Sequence, residues 1–145
     1  MQAQLAILLA MLAASKAVAA PALACPKPDL TFAAFFYKFK NQQNFRESRL
    51  VLPLVIASRD NSKTNITRYS AAQIHSNRMR LIRGEAAARE LSDTEGRLCE
   101  GKPKVGRNHA QITQSSCETD VYSDLYSFLR RDGCWFLEKI ETSGL

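Results

Sequence analysis

His75 and His109 are the two side chains able to exchange protons near neutral pH, and neither stands in a pattern with a carboxylate or a nucleophile. Each reads as an ordinary surface or edge histidine. Tyr122, Asp124 and Tyr126 alternate along the chain, so on a strand they share one face, either exposed or turned into a pocket. No His, Cys, Asp or Glu cluster has metal-ligand spacing and no glycine-rich loop precedes a helix. We therefore expect no catalytic residue, no metal and no cofactor. Arg78, Arg80, Arg83 and Arg89, with Lys102, Lys104 and Arg107, form the densest basic region. Glu85, Glu90, Asp93, Glu95 and Glu100 interrupt it, so the bland reading is a solvated face and the sharper one a patch for a protein partner.

Cys25, Cys99, Cys117 and Cys134 lack the close spacing of zinc or redox sites, and two structural disulfides are expected. Three connectivities are open. The strand layout favours Cys25–Cys134 with Cys99–Cys117, because Cys117 and Cys134 fall near opposite ends of the expected sheet.

These chemistry-poor residues sit behind an export signature. Leu5 to Ala14 is an uninterrupted apolar run of signal-peptide length, followed by Ser15, Lys16 and small residues. It is too short for a stable membrane span, and Lys16 would be costly within one. Small residues place cleavage after Ala19, giving a signal at 1–19, with cleavage after Ala24 (1–24) the other option. Met1 to Gln4 carries no Lys or Arg, a departure from the usual signal pattern. A lipid anchor on Cys25 is the lesser alternative, because Ala22 stands where an aliphatic residue belongs. Residues 20–145 then form a single domain of a size that buries one core. Loss of Lys16 takes the formal charge from +6 to +5, and export makes nucleic acid an improbable partner.

Phe32, Phe35, Phe36 and Phe39 are spaced as one buried helix face, with Asp29 or Thr31 as cap, and a short second helix is expected through Phe45. Leu50 to Ile56 reads as a strand with Pro53 at an edge or bulge. Ser58 to Asn65 reads as a polar loop, and Ile66 to Tyr69 as a second strand. Ser70-Ala71-Ala72-Gln73 is a capping box opening a helix that carries Ile74. Met79 to Ile82 suggests a strand with one basic face, Ala86 to Leu91 a short helix, and Cys99 to Gly106 an exposed loop. The end is clearest: Val121 to Arg130 and Cys134 to Ile140 flank Asp132-Gly133, a hairpin signal, with a further strand around Ala110 to Ser116.

Helices first and an antiparallel meander last give an α+β order. Phe32-x3-Phe36-x2-Phe39, Phe45-x3-Arg49, Leu52-Pro53-Leu54 and Asp132-Gly133-x-Trp135-x-Leu137-x-x-Ile140 resemble an uncharacterised exported bacterial family. That family lies within the nuclear-transport-factor-like (ketosteroid-isomerase-like) superfamily. The resemblance implies N-terminal helices packed on a curved antiparallel sheet, a cone, closed by the C-terminal β-hairpin. It also implies a pocket in which Tyr122, Asp124 and Tyr126 could act as acid and hydrogen-bond donors.

Small size, export, disulfides and absent catalytic motifs fit a periplasmic, non-catalytic binding protein. The expected class is an immunity protein that occludes a toxin aimed at the envelope, its partner being that toxin. The alternative is a small-ligand-binding module or enzyme using the cavity of the cone.

Overall fold

The computed structural model describes residues 23, 25–60, 63–76, 98–117 and 122–144. Helices α1 (Phe32–Asn41) and α2 (Gln43–Glu47) lead into strands β1 (Leu50–Asp60) and β2 (Lys63–Tyr69) and helix α3 (Ala71–Ser76). Then come β3 (Leu98–Glu100), β4 (Lys104–Val105), β5 (His109–Ser116), β6 (Tyr122–Arg131) and β7 (Cys134–Gly144). The strands form one curved, open sheet in the order β2-β1-β7-β6-β5-β3, with β4 also on β5. No helix among the described residues is long and apolar enough to cross a membrane.

Helix α1 starts where the Thr31 hydroxyl accepts the Ala34 N–H at 3.1 Å, so Thr31 and not Asp29 is the cap. It ends at Gln42, which is also the N-cap of α2. The aromatic stripe is buried as expected. Phe32, Phe35, Phe36 and Phe39 all meet Phe128 of β6 edge-on, with ring centroids 5.4 to 6.0 Å apart. The capping box before α3 forms reciprocally, since Gln73 Oε1 accepts the Ser70 N–H and Ser70 Oγ accepts the Gln73 N–H.

The hairpin of β6 and β7 turns on Asp132 and Gly133, whose φ values of 51° and 80° suit the twist of a two-residue connection. Pairing shifts between Ser127/Lys139 and Phe128/Leu137, which leaves Glu138 as an extra residue. That bulge explains the Leu137-x-x-Ile140 spacing: it flips the alternation so that both side chains face the helices. Pro53 lies in the irregular span between Leu50 and Val55, where β1 loses register with β7.

Three expectations are revised. The sheet is mixed rather than wholly antiparallel, because β1 runs parallel to β7 while every other pairing among the described strands is antiparallel. Most of the polar stretch expected as a loop is strand: β1 continues to Asp60 and β2 begins at Lys63, their backbones paired although the β2 side chains from Lys63 to Asn65 are exposed. The segment 99–106 contributes β3 and β4, which antiparallel pairing with β5 holds extended. The strand expected at Met79 to Ile82 and the helix at Ala86 to Leu91 lie outside the described residues.

Both favoured disulfides are present, Cys25–Cys134 and Cys99–Cys117, with Cα separations of 6.0 and 5.0 Å. The first ties the N-terminal segment to the β6/β7 turn, and the second ties β3 to the end of β5.

Candidate functional site

Tyr126 and Asp124 occupy adjacent same-face positions on β6, and the Tyr126 hydroxyl donates to Asp124 Oδ2 at 3.1 Å. Both are buried, at 1% and 3% exposure. Register places each in a row across the helix-facing side of the sheet. The Tyr126 row is apolar, running Ile112, Tyr126, Ile140, Ile56. The next row outward from Phe128 is polar, running Gln114, Asp124, Thr142, Ser58. Gln114 is itself buried, and its neighbour Glu100 on β3 is held by Lys40 of α1 at 3.0 Å. The expected pair is thus brought together and buried, Tyr126 in the hydrophobic cluster it shares with Ile74, Ile112 and Ile140, and Asp124 on the polar row beside it. Tyr122 opens β6, and its side chain lies outside the described part. Arg78, Arg80, Arg83 and Arg89 also lie outside the described residues.

A second constellation escaped the sequence reading. Asp29 Oδ2 accepts the Trp135 N–H at 2.9 Å and pairs with Arg49 Nη1 at 3.3 Å, both side chains more than nine-tenths buried. The Arg49 guanidinium lies over Phe45 and Phe136, 4.9 and 5.4 Å from their centroids, and the Arg49 carbonyl accepts the Leu137 N–H. With Cys25–Cys134 and the Asp29 N–H bonded to the Gly133 carbonyl, this fixes the segment 25–29 against the β6/β7 turn. A groove of about 460 Å³ follows, floored by Phe35 and Phe45, flanked by Pro26 and Leu30, with Lys27 and Lys38 beside it. The sequence signal available was the apolar spacing that includes Phe45-x3-Arg49, which does not reveal that Arg49 seeks an acid twenty residues earlier.

Both histidines sit at the surface, as expected, each with a glutamate nearby that the sequence did not place there. His75 lies exposed on α3, 3.7 Å from Glu47, and His109 lies exposed on β5, 3.9 Å from Glu138. His109 borders a shallow groove of about 430 Å³ beside Lys104, Gln111, Ser127 and Glu138, in which the Gln111 amide donates to Ser127 Oγ. Among the described residues no three His, Cys, Asp or Glu side chains gather as metal ligands.

Helices laid on one face of this curved mixed sheet match a solved NTF2-like protein from Bacteroides fragilis with a TM-score of 0.58 at 17% identity. The fold is NTF2-like. The match covers 84% of this chain, which spans half the length of the Bacteroides protein. NTF2-like proteins of unknown function from Methylobacillus flagellatus and Shewanella baltica align less closely. Their TM-scores are 0.41 and 0.39 at 11% and 10% identity, covering 77% and 79% of this chain and 83% and 96% of theirs. No protein-family model and no curated protein matches the sequence.

Proposed function

We propose that this NTF2-like domain is an exported, non-catalytic binding module, acting in the periplasm as an immunity protein that covers the active cleft of an envelope-targeted toxin. The observation that carries the reading is the placement of Asp124 and Tyr126. The pair best suited to acid–base work is bonded to itself within the core, whereas the described grooves open on the outside of a braced scaffold. The described cysteines are all bridged, which fits an oxidising compartment. Two disulfides and the buried Asp29–Arg49 pair hold the surface rigid, so little ordering free energy is lost on docking. Net positive charge steers an acidic partner to it.

The test is capture of the tagged mature protein from periplasm and from cells expressing the neighbouring open reading frame. A stoichiometric partner that is toxic in the periplasm alone, and harmless alongside this protein, is the expected result. Recovery of the protein alone from both sources overturns it.

A second reading is favoured by the polar row Gln114, Asp124, Thr142 on the helix-facing side, where a small ligand could replace contacts within the cone. Under it, a panel of small apolar molecules with one polar group raises the melting temperature of the wild type, and the Asp124→Asn variant loses that response.

A further inference from the structure

The two edges of the sheet are built differently. One ends in strands of three and two residues, β3 and β4, tied down by Cys99–Cys117 and by the Lys40–Glu100 pair. Very short edge strands are one usual protection against strand addition. The other ends in β2, seven residues long, paired with β1 alone among the described strands and exposed at every side chain except half-buried Tyr69. Tyr69 packs against the core opposite Leu54, so the strand is anchored at one end, and its outer edge pairs with no other described strand.

The side chains on the outer face of this edge have an order. Ile66 is 58% exposed and lies beside Ala57. Two residues further along β2 is exposed Arg68; two residues back is the small Thr64, behind which stands exposed Arg59 of β1. The pattern is cation, aliphatic, cation, with exposed Lys63 at the start of the strand and Asp60 the sole acid on β1 or β2. A second copy of the chain would bring two such cationic sets to one seam with no acid on β2 to offset them.

We propose that β2 is a strand-addition site for an extended acidic segment of a protein partner, with acids at positions i and i+4 and an aliphatic residue at i+2. Backbone hydrogen bonds along β2 supply affinity, the aliphatic residue covers Ile66, and the acids face Arg68 and, across Thr64, Arg59. Neighbouring strands lie about 4.8 Å apart, so the Arg59 guanidinium and a glutamate side chain together span the intervening strand. The inference rests on the reading of the protein as a binding module and names one route by which a partner docks.

The probe is acetyl-Thr-Glu-Thr-Val-Thr-Glu-Thr-amide, with a control carrying Lys for both Glu, and the readout is amide hydrogen exchange of the mature protein. The acidic peptide slows exchange within 63–69, and the lysine peptide does not. Arg59→Glu with Arg68→Glu weakens the acidic peptide by about tenfold or more while leaving the melting temperature unchanged, since both side chains are exposed. Three results overturn the proposal: no slowing in β2 at millimolar peptide, equal slowing by the lysine peptide, or slowing in β2 that rises with protein concentration alone, which assigns the edge to a second copy. The experiment contains no toxin, so its failure leaves the immunity reading standing, and failure of toxin neutralisation leaves the edge standing.

Discussion

Asp29 and Arg49 meet as a buried ion pair at 3.3 Å, and the same Asp29 oxygen takes the backbone N–H of Trp135. One carboxylate thereby joins three parts of the chain: the N-terminal segment, the start of β1 and the start of β7. Removing it strands a charge and a backbone donor together. Asp29→Ala is expected to cost about 3–5 kcal/mol in urea unfolding, whereas Asp29→Leu with Arg49→Met costs less, because only the Trp135 N–H and no charge is left without its partner. Equal losses for both variants would show that the pair acts by packing only.

Phe128 carries the contact between sheet and helix, with the rings of Phe32, Phe35, Phe36 and Phe39 all set edge-on to it. Phe128→Ala should destabilise by about 3–5 kcal/mol, from lost transfer energy and the cavity left among rings that cannot collapse. Thr31→Ala, which removes one cap bond at the start of the same helix, should cost only about 1 kcal/mol. Chemical denaturation separates the two.

Gly133 combines φ of 80° with close approach to Pro28, whose Cβ would lie 2.9 Å from an added methyl. Gly133→Ala is expected to lose about 1–2 kcal/mol from backbone conformation alone, with the collision adding to it. Pro28→Gly in the same chain should recover only the collision. A Gly133→Ala variant as stable as wild type would contradict the turn geometry.

Reduction should act unequally on the two bridges. Cys25–Cys134 closes 109 residues and Cys99–Cys117 closes 18. Chain-entropy reasoning assigns them about 4.7 and 3 kcal/mol. Serine replacement of each pair, followed by thermal unfolding, should lower the melting temperature more for the first. The Tyr126→Phe variant, which removes the hydroxyl donated to Asp124, should lose about 1.5–3 kcal/mol, as for a buried bond to a carboxylate.

The sequence disclosed what local chemistry specifies. Phenylalanines at helical spacing, Ser70 and Gln73 as a capping box, and Asp132-Gly133 between alternating runs each determine structure within a few residues. What stayed hidden depends on distant partners. Ser58, Arg59 and Lys63 to Asn65 are all exposed, so the paired ends of β1 and β2 carry no hydrophobic period. Cys99 to Gly106 is extended only because β5 lies beside it, and nothing near Leu50 announces that β1 will run parallel to β7. The same limit applied to the site. Alternation put Asp124 and Tyr126 on one face, but only register supplied Gln114 and Thr142 beside Asp124, and only the fold shows how deeply the pair is buried. Asp29 read as one of two candidate helix caps because the cap position is local, while its true partners, Arg49 and Trp135, are not.

Occlusion has a stoichiometry that catalysis and mere structural support lack. The most direct test of the proposed immunity role is the activity of the purified product of the neighbouring open reading frame, titrated with this protein. Our account predicts a linear fall to zero at one molar equivalent, with full activity recovered on unfolding the inhibitor. No inhibition at excess, or inhibition by a small fraction of an equivalent, would contradict it.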